Sequence, residues 1–473
     1  MHVTSREFGS NARAAVADAN LRQSLATMKT GFRARRAEAV AALPEFEALR
    51  DAGKAIKDHT LTHLDHYLER FEAKVTESGG HVHWAGDAEA ACRTVIGICR
   101  AHGARLVTKG KSMVTEEIGL NAALEKNDID SVETDLGEYI IQLRKEQPSH
   151  IIAPAIHVRK AEVADLFREH HLEFDAGRPL DEPRALLDEA RTVLRERFLS
   201  ADVGITGANM LVAETGSAVI VTNEGNADLT QLLPRVHVVV ASIDKVVPAL
   251  DDAATILRLL ARSATGQVMS TYTTLATGPR RADDADGPEH FHVVLVDNGR
   301  SRLLGSPFQD VLRCIRCAAC INHCPIYGAV GGHAYGSVYP GPIGSVLTPA
   351  LSSVEEAGSL PNASTLCGRC EAVCPMKIPL PRMLRQWREE EVDRNLTPES
   401  ARQALGLWAF AARRPAVYRF GTAMAGRLLR LMAGRRGRVR RLPFAGAWTR
   451  VRDLPAPEPG GSFMSRYKSG KEQ

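Results

Sequence analysis

Apolar and charged residues mix at helical spacing up to about residue 75, as in Phe32–Val40 and Asp58–Leu64, and predict a helical N-terminal segment. A different rhythm follows. Short apolar runs (His81–Trp84, Arg105–Thr108, Ile151–Pro154) alternate with longer helical patterns (Ala88–His102, Glu116–Leu124, Glu138–Arg144). That alternation predicts an α/β domain on a largely parallel sheet. After a helical insertion at Glu182–Leu199, the runs Ala208–Glu214 and Ser217–Thr222 flank Thr215-Gly216 as a tight hairpin. Val236–Ala241 has the unbroken apolar character of a buried strand. His292–Gly299 supplies the last strand and its turn, closing the domain near residue 300. Tyr327–Ile343 is glycine-rich, and from Ala401 short amphipathic helices are broken at Pro415 and Gly434–Gly437. After Pro455 the chain reads as disordered. The expected divisions are a helical segment 1–75, an α/β domain 76–300, a helical cysteine-bearing module 301–385 and a helical C-terminal region 386–473.

Length supports several domains, since 473 residues exceed what one hydrophobic core serves. With 44% hydrophobic and 25% charged residues the composition is that of a globular protein, and no apolar run reaches the length of a membrane-spanning helix. Met1–Phe8 lacks the basic-then-apolar pattern of a signal peptide, so a cytoplasmic location is expected. In that reducing compartment thiolates persist as metal ligands. Charge is uneven: residues 401–473 hold 16 Lys and Arg against 3 Asp and Glu, a net of +13, leaving −9 for residues 1–400 of a chain whose total is +4. A basic tail suits nucleic acid, an anionic membrane surface or an acidic partner subunit. No array of stacking aromatics or DNA-binding motif accompanies it, so no nucleic-acid partner is expected. Docking onto a partner is the preferred reading, with peripheral membrane contact as the other.

The chemistry lies in the cysteines. Seven of the nine fall in two runs: Cys314, Cys317, Cys320 and Cys324 followed by Pro325, and Cys367, Cys370 and Cys374 followed by Pro375. The first is the C-x2-C-x2-C-x3-C-P spacing of two-cluster ferredoxins, in which the fourth cysteine ligates the other cluster. On that logic Cys314, Cys317, Cys320 and Cys374 hold cluster 1, while Cys324, Cys367 and Cys370 hold cluster 2. Structural zinc also uses C-x2-C pairs, but normally two of them and not this run. The second run has Ser364 where a full run has a cysteine. Both clusters are expected to be 4Fe-4S. The second is alternatively 3Fe-4S, or completed by Ser364 or water, or left with an iron open to substrate. Cys92 and Cys99, seven apart on one helix face, read as buried structural thiols.

Other residues carry weaker signals. Lys109, Lys111 and Ser112 follow a predicted strand and open a helix, a turn that suits an anion or equally a plain helix cap. Glu214 and Glu224 lie among polar and glycine residues at strand ends, where open α/β sheets bind ligands. His81 and His83 share a strand face without further ligands nearby, so surface or core histidines are expected. Gly331-Gly332-His333 reads as a loop packed around the clusters. No G-x-G-x-x-G follows a strand, so no flavin or nicotinamide site is expected.

Assembled, these residues resemble the lactate utilization protein B family. The resemblance rests on Lys111–Ile118, Glu133–Glu138, Cys314–Cys317, Gly332–Gly336 with Tyr339–Gly344, and Leu366–Gly368 with Cys374-Pro375. It implies a LUD-type α/β domain related to CoA-transferase-like folds, then a ferredoxin-like module and a family-specific C-terminal region. It also implies companion lactate-utilization proteins encoded nearby and a system oxidising L-lactate to pyruvate, in which this chain relays electrons. Ser364 would then be normal for the family. The alternatives from the cysteine runs are an iron–sulfur subunit of a related 2-hydroxy acid or glycerol phosphate oxidase, or a redox-sensing regulator. The first leaves the long α/β domain unexplained, and two clusters exceed what sensing needs.

Overall fold

The computed structural model describes residues 4–443, 446–449, 452–458, 463–468 and 470. Between residues 81 and 296 run β1 (His81–Ala85), β2 (Leu106–Lys109), β3 (Asp130–Glu133), β4 (Val203–Thr206), β5 (Met210–Val212), β6 (Ser217–Thr222), β7 (Val236–Ser242), β8 (Val246–Val247), β9 (Tyr272–Ala276) and β10 (His290–Val296). Six of them form an all-parallel sheet in the order β1-β10-β7-β4-β2-β3. The other four make a mixed sheet, β8-β5-β6-β9, built on the antiparallel β5–β6 hairpin that the Thr215-Gly216 turn predicts.

The strand order places the functional end of the sheet. From β2 the chain moves to β3 on one side, then returns to β4 on the other. The connections after β2 and β4 therefore lead to opposite sides of the sheet, and a crevice opens at their carboxyl ends. Every residue of β7 is buried, which is why Val236–Ala241 is apolar without alternation. Helix Ala88–Ala101, capped by Asp87 on the Ala90 N–H at 2.8 Å, turns Cys92 and Cys99 into the core. Burial pushes the Cys99 thiol up to about 12, as suits a structural thiol.

Two sequence expectations are corrected. Ile151–Pro154 is an irregular loop, and the edge strand is β3. The loop is apolar because Ile151 packs in the core shared with the cysteine module, whereas β3 starts with half-exposed polar positions that hide it from an apolar-run criterion. The helix expected over Glu116–Leu124 is broken at Gly119, whose φ of +71° separates Met113–Ile118 from Leu120–Glu125.

The N-terminal segment contains helices including Ala19–Met28, Phe46–Thr62 and Leu64–Glu77. It is a brace and not an appendage. Leu25, Met28, Phe46 and Leu61 share one core with Ile256 and Leu259 of helix Leu250–Ala264 and with Ile321, Tyr335 and Met376 of the cysteine module. Residues 1–390 accordingly form one compact unit and residues 391–473 a second. The second unit contains helices Glu399–Ala412 and Pro415–Ala433 and the short pair β11 (Arg438–Val439) and β12 (Leu454–Pro455). Beyond Pro455, expected to be disordered, residues 463–468 are helical, while 459–462, 469 and 471–473 lie outside the described residues.

Buried histidines set an acid limit on this fold. His237 on β7, bonded to Thr206 Oγ1 at 2.8 Å, is drawn down to about 3 by burial, and His150 to about 4. A depressed histidine takes up its proton first in the unfolded chain. Stability is therefore full above about pH 6.5 and lost as pH falls toward 4, on the order of 3 kcal/mol per buried ring. The urea midpoint should drop steadily from pH 7 to pH 5; a flat midpoint over that range would contradict the burial argument.

Candidate metal centre and the cavity beside it

Cys314, Cys317 and Cys320 lie on one tight loop. Arg316 and Ala318 take left-handed conformations, with φ of +59° and +57°, on either side of Cys317. Such values are costly for residues with a Cβ and persist where surrounding structure enforces them. They wrap the loop around a small cavity lined by Cys314, Cys317, Cys320 and, from the second run, Cys374. Five aliphatic side chains, Met376, Pro375, Ala318 and Arg316 complete the wall. Four thiols converging on one apolar pocket fit an iron–sulfur cubane. Burial raises the Cys374 thiol to about 11, so its neutral form dominates until a metal displaces the proton.

Cys324, Cys367 and Cys370 form a separate group. Burial raises Cys370 to about 12, with Cys324 and Cys367 both close enough to add to the shift. Cys367 is exposed, unlike any cysteine of the first group. The second loop repeats the first. Leu366 and Gly368 take left-handed φ of +52° and +77° around Cys367, as Arg316 and Ala318 do around Cys317. In the first loop Cys314 Sγ accepts the Arg316 N–H at 3.4 Å; in the second, Ser364 Oγ accepts the Leu366 N–H at 3.1 Å. Ser364 thus occupies the place of Cys314 in conformation as well as in spacing. Its tolerance predicts that Ser364→Cys keeps the fold and raises the iron retained after air exposure, while Ser364→Ala lowers it by up to one iron in four. Iron and sulfide counting with EPR checks this, and identical counts in all three proteins would remove Ser364 from the site.

The loop leaving β2 approaches the loop leaving β4 so closely that a Cβ on Gly207 would meet Ser112 Oγ at 2.6 Å. Around this junction opens a cavity of about 640 Å³. Lys111, Ser112 and Glu224 line it, as do Asp135, Lys245, Arg316 and Cys317. The cavity at the sheet's switch point therefore reaches the loop of the first cysteine group. Lys111 bonds Asp135 at 3.1 Å and the Ile152 carbonyl at 2.9 Å. Ser112 caps the next helix, accepting the Thr115 N–H at 3.4 Å. Burial and Asp135 raise the Glu224 carboxyl.

Two expected site residues lie elsewhere. Lys109 is fully buried between Glu133 at 2.7 Å and Glu116 at 2.9 Å, so its charge serves the core and not the cavity. Glu214 is exposed and accepts the Leu250 N–H at 3.1 Å, capping helix Leu250–Ala264. His81 and His83 have company that the sequence hides: His83 Nε2 lies 3.1 Å from His292 Nδ1, and His102 packs on His290 with ring centroids 4.4 Å apart.

Below the cavity the α/β domain is bolted to the cysteine module. Glu117 receives Arg300 at 2.8 and 2.6 Å, the Tyr339 hydroxyl at 2.6 Å and Asn298 at 2.6 Å. Burial would raise this carboxyl, but Arg300, Tyr339 and Asn298 outweigh it and hold it below the usual range. Arg300 also reaches Asp244 at 2.9 Å. Gly332 sits where a Cβ would meet the Ser149 carbonyl at 1.7 Å, and Tyr335 lies beside the Cys324 thiol. From the brace, Arg50 donates to the Cys374 carbonyl at 3.0 and 2.7 Å, and Arg36 to that of Val373 at 2.9 Å.

Comparison with known proteins matches three family models: a LUD domain over residues 68–296, a 4Fe-4S dicluster domain over 310–378, and the C-terminal region of lactate utilisation protein B over 369–468. Lactate utilization protein B of Anoxybacillus flavithermus is 42% identical over 461 residues, covering 97% of each chain. The chain belongs to the lactate utilization protein B family. The family member of Bacillus licheniformis is also 42% identical, over 92% of this chain and 91% of its own. The "uncharacterized electron transport protein YkgF" of Escherichia coli K12 is 41% identical over 99% of this chain and 98% of its own. A solved DUF162 family protein from Deinococcus radiodurans aligns with 49% of this chain and 98% of its own at 16% identity and a TM-score of 0.26, too distant to bear on the fold. The architecture is a LUD domain with a mostly parallel sheet, a 4Fe-4S dicluster domain and a helical C-terminal region. Among the described residues no helix is long and apolar enough to cross a membrane. The family motifs fall at the contacts described above: Glu117 in Lys111–Ile118, and Gly332 and Tyr339 in the glycine-rich loop.

Proposed function

We propose that this chain is the electron-relaying iron–sulfur subunit of a bacterial system that oxidises L-lactate to pyruvate and so allows growth on lactate. Cys314, Cys317, Cys320 and Cys374 would hold one 4Fe-4S cluster. Cys324, Cys367 and Cys370 would hold the second, with Ser364 as its fourth ligand or, without it, as a 3Fe-4S cluster. When bound, such clusters accept and release single electrons. The observation that carries this reading is the unequal placement of the two cysteine groups. One abuts the open cavity at the end of the LUD sheet, and the other reaches the surface at Cys367. That arrangement suits a wire with an inner and an outer terminus.

The chain's own residues would set the conditions for transfer. Backbone N–H groups of Arg316, Tyr327 and Ile378 point at the sulfurs of Cys314, Cys324 and Cys374 at 3.4–3.5 Å, favouring the more negative, reduced state. Apolar side chains pack around the inner group. The likeness to family members named for lactate utilization supports lactate as the electron source. The LUD domain is proposed to be CoA-transferase-like and the protein to work in the cytoplasm. Companion lactate-utilization proteins encoded nearby would dock on the basic C-terminal helices, whose Leu405, Trp408, Phe410 and Phe420 are exposed.

Anaerobic purification with those companions, followed by L-lactate addition and EPR, tests the reading. Lactate-dependent reduction of clusters in this chain is expected. Fully reducible clusters that stay oxidised in the presence of L-lactate and all companions would overturn it.

A further inference from the structure

Most buried cations around the switch point have partners. Arg300 rests on Glu117 and Asp244, and Lys57 on the carbonyls of Asp244 and Val246. Lys111 is held by Asp135, and Lys109 by its two glutamates. Lys245 and Arg316 differ. Lys245, in the turn after β7, is 7% exposed, and among the described residues no hydrogen bond or ion pair reaches its ammonium. Arg316 lays its guanidinium over the Tyr339 ring at 5.0 Å, and its Nε and Nη1 lack any acceptor. Both side chains line the 640 Å³ cavity. Burying an unpaired ammonium costs several kcal/mol, and a second cation beside it adds to that cost. The negative groups nearest both are the Asp244 carboxylate, already shared with Arg300, and the sulfur of Cys314, and an anion in the cavity would add to them.

The cavity specifies more than charge. Its volume falls in the range of pockets that enclose drug-sized ligands, far beyond the needs of a three-carbon acid alone. Phe32, Ile140, Ile152 and Leu260 are among its apolar lining residues. It lies at the carboxyl ends of β2 and β4, where open parallel sheets bind ligands, and touches Cys317. The missing G-x-G-x-x-G excludes only a helix-borne dinucleotide site, which this cavity is not.

We propose that the switch-point cavity binds a phosphorylated organic ligand of flavin-mononucleotide size, its anionic group held by Lys245 and Arg316 and its apolar body in contact with the loop of Cys317. The role of that ligand as an electron donor rests on the relay reading; its binding does not. A group that trades electrons singly with a cluster would complete the inner end of the wire.

The test uses the full chain, purified anaerobically with its clusters counted by iron analysis and EPR. Flavin mononucleotide is titrated in and its fluorescence quenching followed, for the native protein, Lys245→Met and the remote control Glu214→Gln. Saturable binding is expected, weakened roughly tenfold or more in Lys245→Met and unchanged in Glu214→Gln. Inorganic phosphate should compete, and L-lactate should not. Three outcomes would overturn the inference: no flavin mononucleotide binding by cluster-replete protein; binding of L-lactate in its place; or a Lys245→Met variant that shifts the cluster potential but binds flavin mononucleotide as tightly as the native chain. In each case the EPR signals report on the clusters separately, so the relay reading stands or falls on its own assay.

Discussion

Cys374→Ala should cost the protein the same cluster as Cys314→Ala, about four irons per chain, although 60 residues separate the two positions. The reason is geometric. Cys374 lines the small cavity with Cys314, Cys317 and Cys320, whereas Cys324, nearer in sequence, does not. Cys324→Ala should instead match Cys370→Ala, leaving the first signal intact. EPR of the reduced proteins separates the two patterns. If Cys374→Ala abolished the signal that Cys367→Ala abolishes, each run would hold its own cluster and the crosswise assignment would fall. Alanine is the right replacement because serine at Ser364 shows that an oxygen is accommodated in such a loop.

The second large effect is on stability. Glu117 is fully buried, yet it gathers Asn298 and Arg300 from one turn and Tyr339 from the cysteine module. Glu117→Ala strands the Arg300 guanidinium with Asp244 alone and leaves the Tyr339 hydroxyl without its carboxylate. Loss of one partner from such a pair costs about 3–5 kcal/mol. Tyr339→Phe removes a single charge-assisted hydrogen bond and should cost about 1.5–3 kcal/mol. The double variant should lose less than the sum, because both changes remove the same contact. Denaturant unfolding of cluster-replete protein measures all three. Strict additivity would mean that the two residues act independently and that the bolt between LUD domain and cysteine module lies elsewhere.

What the sequence revealed depended on the range of the interaction. The cysteine spacing is local, and the fold gathers Cys314, Cys317, Cys320 and Cys374 around one small cavity. The repeat of left-handed residues at Arg316, Ala318, Leu366 and Gly368 was invisible, because three of the four are residue types that carry no sign of such a conformation. β3 was missed because an edge strand with polar positions breaks the apolar pattern, and Ile151–Pro154 replaced it because core packing needs apolar residues in loops too. Lys109 and Lys111 sit two apart on the same turn, yet one points into the core and the other lines the cavity; only the tertiary position of Glu133 and Asp135 decides between them. The five-histidine patch and the free charge of Lys245 depend on contacts between distant segments, which no local motif reports.

The cavity that joins Cys314 to Cys374 also fixes an order of events during synthesis. A chain still growing on the ribosome can present three of those thiols once residue 320 has emerged, but the fourth must wait for the rest of the module. Cys324 likewise waits for Cys367 and Cys370. Neither group can be completed from its own run, so iron delivered early would find only partial sites. The helical brace, whose Arg36 and Arg50 hold the carbonyls of Val373 and Cys374, is made first and stands ready to receive the last segment. Completion of the first group is thereby tied to arrival of the final cysteine, and a chain truncated before it would lack that group's fourth thiol.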